Sequence, residues 1–159
     1  MAETPHAASD ADASSNANSD TTPFGNPELH GTLRAMLSEA FWKGALPGEN
    51  EGFDEVARTE AAEFALKAMA RRPSVDTVLL IESIPGQAGH RHMRMAIIND
   101  DMPFLVDSIA ATISRFGLAI DRVIHPVVAL RRDADGLLSE IFSDEAPGER
   151  RESVVYLEV

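Results

Sequence analysis

The sequence predicts an α+β chain: a polar tail, two helices, then a run of antiparallel strands interrupted by a third helix. Three observations carry this. Apolar residues recur at helical spacing across 29–41 and 53–68. Apolar runs of strand length, β-branched or alternating, fill much of 76–159. Between two of them, Ile97-Ile98 meets the tight stretch Asn99-Asp100-Asp101-Met102-Pro103-Phe104, after which the apolar period becomes helical again.

Residues 1–27 are rich in Ala, Ser, Asn, Asp and Thr, with no Lys or Arg before Arg34. Such a segment buries too little apolar area to offset its ordering entropy, so it is expected as a disordered tail. Residues 28–72 are expected as a helical segment. Leu29, Leu33, Met36, Leu37, Ala40 and Phe41 form one stripe, ended by Gly44 and Pro47-Gly48. A polar linker, 49–52, leads to a second stripe of Phe53, Val56, Ala57, Ala61, Phe64, Ala65 and Ala68. It closes at Arg71-Arg72-Pro73, where two cations suit the negative end of a helix.

Residues 73–159 are expected as a sheet domain. Asp76 to Ile84 and His92 to Ile98 read as an antiparallel pair around a turn at 85–89. After Asn99-Asp100-Asp101, either aspartate is placed to cap the next helix, with Pro103 near its first position and Gly117 as its stop. A long strand over 118–132 carries Pro126, which removes one ladder donor and predicts a bend or bulge. Asp133-Ala134-Asp135-Gly136 reads as a hairpin turn before Leu137 to Phe142. The last strand, Ser153 to Val159, stops without a turn or polar tail, and the sheet reads as truncated there.

Composition narrows the function classes. The net charge is -12, which argues against a general nucleic-acid binder. There is no cysteine, so disulfides, thiolate metal sites and cysteine nucleophiles are excluded. No apolar run approaches the length needed to span a bilayer, and the N-terminus lacks the basic and apolar segments of a secretory signal. A cytoplasmic location is the expectation.

No self-sufficient active site is legible, and no catalytic or cofactor-binding residue is assigned. Ser108 and Ser114 lack a G-x-S-x-G elbow, and neither a G-x-G-x-x-G nor a phosphate loop occurs. His90 and His92 have no third ligand beside them, and the paired aspartates lack the further carboxylates of a cation site, so no metal is expected. Lys43 and Lys67, the two lysines, fall on amphipathic helices. What remains is the strand–loop–helix. Helix N–H groups attract a carboxylate and Asp100 or Asp101 an ammonium, so Asn99, Asp100, Asp101, Met102, Pro103 and Phe104 are the candidate effector loop. The alternative is that the loop only sets the entry angle of the helix.

The stretch Asn99 to Ser108, with Ile124-His125-Pro126-Val127, Arg131 to Gly136 and Glu152-Ser153, resembles the N-terminal ACT-like region of the bacterial large NAD-specific glutamate dehydrogenases. The resemblance covers about 53–159 in the same order. It implies an ACT-like antiparallel sheet with helices on one face, incomplete here for want of a second helix and last strand. It also implies a parent enzyme that converts L-glutamate, NAD and water to 2-oxoglutarate, ammonia and NADH, with catalytic and NAD-binding parts downstream. This chain would then be a regulatory or assembly segment, inactive alone and binding no cofactor. Its partners would be the downstream domains, further copies of the parent in a homo-oligomer, and an amino-acid effector, with no nucleic acid or membrane. The alternative is a free-standing ACT-type amino-acid sensor. Two departures stand out: Phe104 occupies the place of the glycine that follows the loop proline in ACT domains, and Tyr156 stands where a histidine is expected.

Overall fold

The computed structural model describes residues 23–45, 48, 51–85, 91–143 and 147–159, the side chains of Pro85 and Arg91 excepted. The expected tail lies outside the described residues as far as residue 22, as do most of the turn at 85–89, His90, and parts of the loops at 49–52 and 143–151.

Helix α1 spans Pro27–Gly44. Asn26 caps it, its side-chain oxygen accepting from the N–H groups of Glu28 at 2.9 Å and Leu29 at 3.3 Å, and Pro27 fills the first position, where a missing N–H costs little. Helix α2, Glu55–Met69, starts at Asp54, which accepts from Ala57 N at 2.9 Å. The two helices run antiparallel. His30 Nε2 lies 2.8 Å from Glu63 Oε2, and Arg58 Nε donates to Ser38 Oγ at 3.2 Å. The alanine face of α2 (Ala61, Ala62, Ala65 and Ala68) is buried within this chain's own core.

The strands are β1 Val78–Pro85, β2 Arg91–Asp100, β3 Arg122–Ile124, β4 Val127–Arg132, β5 Leu138–Ile141 and β6 Arg150–Glu158. Helix α3, Leu105–Arg115, lies between β2 and β3 in sequence. The sheet order is β1-β2-β6-β4-β5, with β3 also on β6, and every pairing is antiparallel. β2 and β4 both oppose β6, so they are parallel to each other with β6 between them and α3 joining them: a split β–α–β unit. The expected strand over 118–132 begins only at Arg122 and is broken at His125-Pro126, where proline interrupts the ladder. β6 starts at Arg150, three residues before the expected Ser153.

Alternation along the strands sends side chains to two faces. Ala96, Ile98, Val154, Tyr156 and Leu130 pack with α1 and α2. Met95, Ile97, Val155, Leu157 and Val123 pack with Ile109, Ile113 and their neighbours on α3. The ACT-like sheet with its helix α3 on one face is as expected; the two preceding helices occupy the opposite face. Tyr156, in place of the histidine expected of the family, fills that face, its ring centroid 5.9 Å from Phe41 and 6.3 Å from Phe64. Its hydroxyl donates to Glu158 at 2.7 Å, and burial, followed by that bond, raises its pKa.

Candidate functional site

The candidate loop leaves the end of β2 at the top of the sheet's central strands. Asn99 and Asp100 are still in β2, opposite Ser153 and Glu152 of β6. Asp101, Met102, Pro103 and Phe104 make the connection, and all four are exposed. Neither aspartate caps α3, which corrects the capping read from the sequence. The residue before the helix is Phe104, and no side chain bonds to the first free N–H groups. Asp100 ends its strand too early and is turned the other way, toward arginines.

Phe104 adopts φ 62, ψ 11, the left-handed region, and is 76% exposed. An aromatic side chain is strained there where a glycine would not be. Phe104 O accepts from Ser108 N at 3.0 Å, so the chain enters the helix directly from this residue. The left-handed backbone that a glycine adopts readily is therefore kept, with an exposed phenyl ring in place of the glycine's hydrogen.

Behind the loop is a cluster that sequence reasoning missed. Glu152 is 0% exposed and Arg72 1% exposed. Glu152 Oε1 accepts from Arg72 Nη1 and Arg132 Nε, both at 3.0 Å, and Glu152 Oε2 from Arg132 Nη2 at 2.7 Å. Arg150 Nε lies 3.1 Å from the same carboxylate. Asp100 Oδ1 joins through Arg72 Nη1 at 2.8 Å and Arg150 Nη2 at 2.9 Å. These contacts, Arg150 first and Arg72 second, hold the Asp100 carboxyl below the ordinary carboxylate range.

The remaining guanidinium donors reach main-chain carbonyls. Arg72 reaches Val75 and Asp76; Arg132 reaches Met69 and Gly136. Arg72 was read from sequence as complementing the end of α2, yet it turns inward and ties that end to β2 and β6, while Arg132 ties it to β4. The signal for this in the sequence was an acid, Glu152, separated by Ser153 alone from the apolar run that begins at Val154.

On the other side of the loop, His125 sits in the bend between β3 and β4, its Nε2 paired with Ser153 Oγ. Burial lowers its pKa, and the Asp101 carboxylate opposes that shift. His92 lies 3.3 Å from Asp121, away from the loop. Among the described residues, no group of three or more His, Asp or Glu side chains converges as a metal site. No helix among them is long and apolar enough to cross a membrane.

The arrangement can present an acid, Asp101, and an exposed apolar tip, Met102 and Phe104, on a rigid base. The loop contains no glycine, and Asp101 stands exposed just before the start of α3.

No solved structure matches the chain. Among curated proteins it is similar to the NAD-specific glutamate dehydrogenase of Halomonas elongata, 38% identical over 71 residues, which are 43% of this chain and 4% of that protein. It is also similar to the NAD-specific glutamate dehydrogenase of Pseudomonas aeruginosa, 36% identical over 70 residues, again 43% of this chain and 4% of the relative. The matched region is thus a small fraction of the relatives' length. Residues 57–159, more than half of the chain and including β1–β6 and α3, match the family described as glutamate dehydrogenase, ACT1 domain. The chain belongs to the glutamate dehydrogenase ACT1-domain family.

Proposed function

We propose that this chain is an N-terminal regulatory and assembly segment of an NAD-dependent glutamate dehydrogenase, the parent enzyme converting L-glutamate, NAD and water to 2-oxoglutarate, ammonia and NADH. The observation that carries this reading is the family match over 57–159, which takes in the whole sheet and α3. Residues 28–72 and 73–159 act in it as a helical segment and an ACT-like domain. The catalytic part and the NAD site belong to other segments of the parent, which are also this chain's partners in a homo-oligomer. The chemistry of the β2–α3 loop, acidic and without glycine, supports leaving the nucleotide elsewhere.

Two roles for the loop follow from its geometry. As an effector site, Asn99 to Phe104 would offer Asp101 to an ammonium, since Asp100 is already held by Arg72 and Arg150. As an assembly element, Met102 and Phe104 would pack against another segment of the parent. The free-standing amino-acid sensor remains the rival.

The test is to purify the 159-residue chain, assay NADH formation from glutamate and NAD, and measure its association with a separately expressed remainder of a homologous dehydrogenase. No NADH from the chain alone, with saturable association, is expected. Turnover by the chain alone, or no association, would remove the reading.

A further inference from the structure

Strand β1 is an outer edge of the sheet: among the described residues it pairs with β2 alone. Which of its main-chain groups face outward follows from the ladder. Met93 and Val159 exchange both bonds, Met93 N to Val159 O at 2.8 Å and Val159 N to Met93 O at 2.9 Å. By the antiparallel alternation Met95 and Ile97 also bond toward β6, and Arg94, Ala96 and Ile98 toward β1. Their partners Glu82, Leu80 and Val78 bond back, so Leu79 and Ile81 turn their N–H and C=O groups to the outer edge. The side chains of these two residues lie on the α3 face, directly opposite Ile97 and Met95. Helix α3 crosses from β2 to β4 over β6 and stops short of β1, leaving Leu79 56% and Ile81 52% exposed.

An exposed apolar edge is guarded in natural sheets by lysine, an internal proline, a bulge or a charge. Here the β1–β2 register runs without a bulge and proline comes only at the last position. The single charge of the strand, Glu82, is held by Arg94 at 2.6 Å, so the chain's net charge of -12 is kept out of the edge. We propose that β1 pairs antiparallel with β1 of a second copy of this chain, about a twofold axis at Leu80, into one continuous sheet. Charge and register select that axis. It sets Leu79 of one copy against Ile81 of the other in hydrogen-bonded pairs, Leu80 against Leu80, and Glu82 against Val78. An axis at Leu79 would set Glu82 against Asp76, and one at Glu82 would oppose two like carboxylates. An axis at Ile81 would set Leu79 against the polar Ser83. With the axis at Leu80, Ile97 and Leu79 of one copy continue into Ile81 and Met95 of the other, an aliphatic row across four strands. The proposal rests on the homo-oligomer in the reading above and names the surface that joins two copies.

The chain has no cysteine, so one introduced thiol reports the register. Under mild oxidation Leu80→Cys is expected to give a disulfide-linked dimer. Its two Cα atoms meet across the axis as a non-hydrogen-bonded pair about 4.5 Å apart, within disulfide reach. Glu82→Cys is expected to stay unlinked, since four positions of strand hold its two copies about 14 Å apart. Leu80 is half-buried, so sedimentation of the unmodified 159-residue chain over a range of concentrations is the second measurement. A reversible dimer is expected, its dissociation constant raised about tenfold or more in Ile81→Lys, where a charge enters the edge. Ile81 is exposed, so that variant keeps its fold, checked by circular dichroism. Phe104→Ser, at an exposed aromatic outside β1, is expected to leave the dimer unchanged. A crosslink at position 82 and none at 80 would overturn the proposal. So would a chain that sediments as a monomer at every concentration, or a dimer that survives Ile81→Lys and is lost in Phe104→Ser. Each of those results leaves the assembly reading to its own test, association with the remainder of the dehydrogenase.

Discussion

Two residues show how much of this molecule is decided by charge placement. Glu152 is fully buried and survives there because Arg72, Arg132 and Arg150 all reach it. Removing one partner of such a buried pair leaves uncompensated charge, which costs about 3–5 kcal/mol. Glu152→Ala is therefore expected to lose about that much stability in urea unfolding. A loss under 1 kcal/mol would mean that the arginines find water or other partners. His125 is the second case. Burial holds its pKa below the ordinary histidine value of 6.5, so the neutral ring is the native form. Its contribution to stability is complete above pH 6.5 and is lost as pH falls through the depressed folded-state value. Asp101 partly offsets the depression, so Asp101→Asn is expected to lower the His125 midpoint further, read from imidazole proton shifts. A midpoint that rises would contradict the assigned causes.

At the scale of elements, the decisive join is between the end of α2 and the β4–β5 hairpin. Arg72 N donates to Gly136 O at 2.9 Å and Leu138 N to Ala70 O at 3.0 Å, and Arg71 forms an isolated bridge with Leu137. Gly136 has φ 78, and a Cβ there would sit 2.5 Å from Arg72 O. Gly136→Ala is expected to destabilise by about 2 kcal/mol or more, combining left-handed strain with a backbone clash. The effect is read as a lower thermal midpoint. A substitution tolerated without change would show that the hairpin can withdraw from α2. The sequence marked 133–136 as a turn correctly, because Asp and Gly carry turn chemistry locally. It could not mark the turn's contact with Arg72, since that contact spans more than sixty positions and has no periodic signature.

For the whole molecule, β6 is the axis. It is buried on both faces, by α1 and α2 through Val154 and Tyr156 and by α3 through Val155 and Leu157. Residues 73–159 alone would expose the face that Phe41, Phe64, Leu66 and Met69 now cover. That fragment is expected to show no cooperative thermal transition and to bind a hydrophobic dye. A sharp transition in the fragment would make α1 and α2 an accessory layer. The sequence by itself determined the elements and their class, because helical and strand periods, prolines, glycines and caps act over a few residues. It also carried the family resemblance, through the short stretches from Asn99 to Ser153. Only the tertiary structure decided that the first two helices take the face opposite α3, and that Asp100 serves an arginine cluster rather than a helix cap. Each of these depends on side chains far apart in sequence meeting in a low-dielectric interior, where pairing is settled by geometry and desolvation rather than by local pattern.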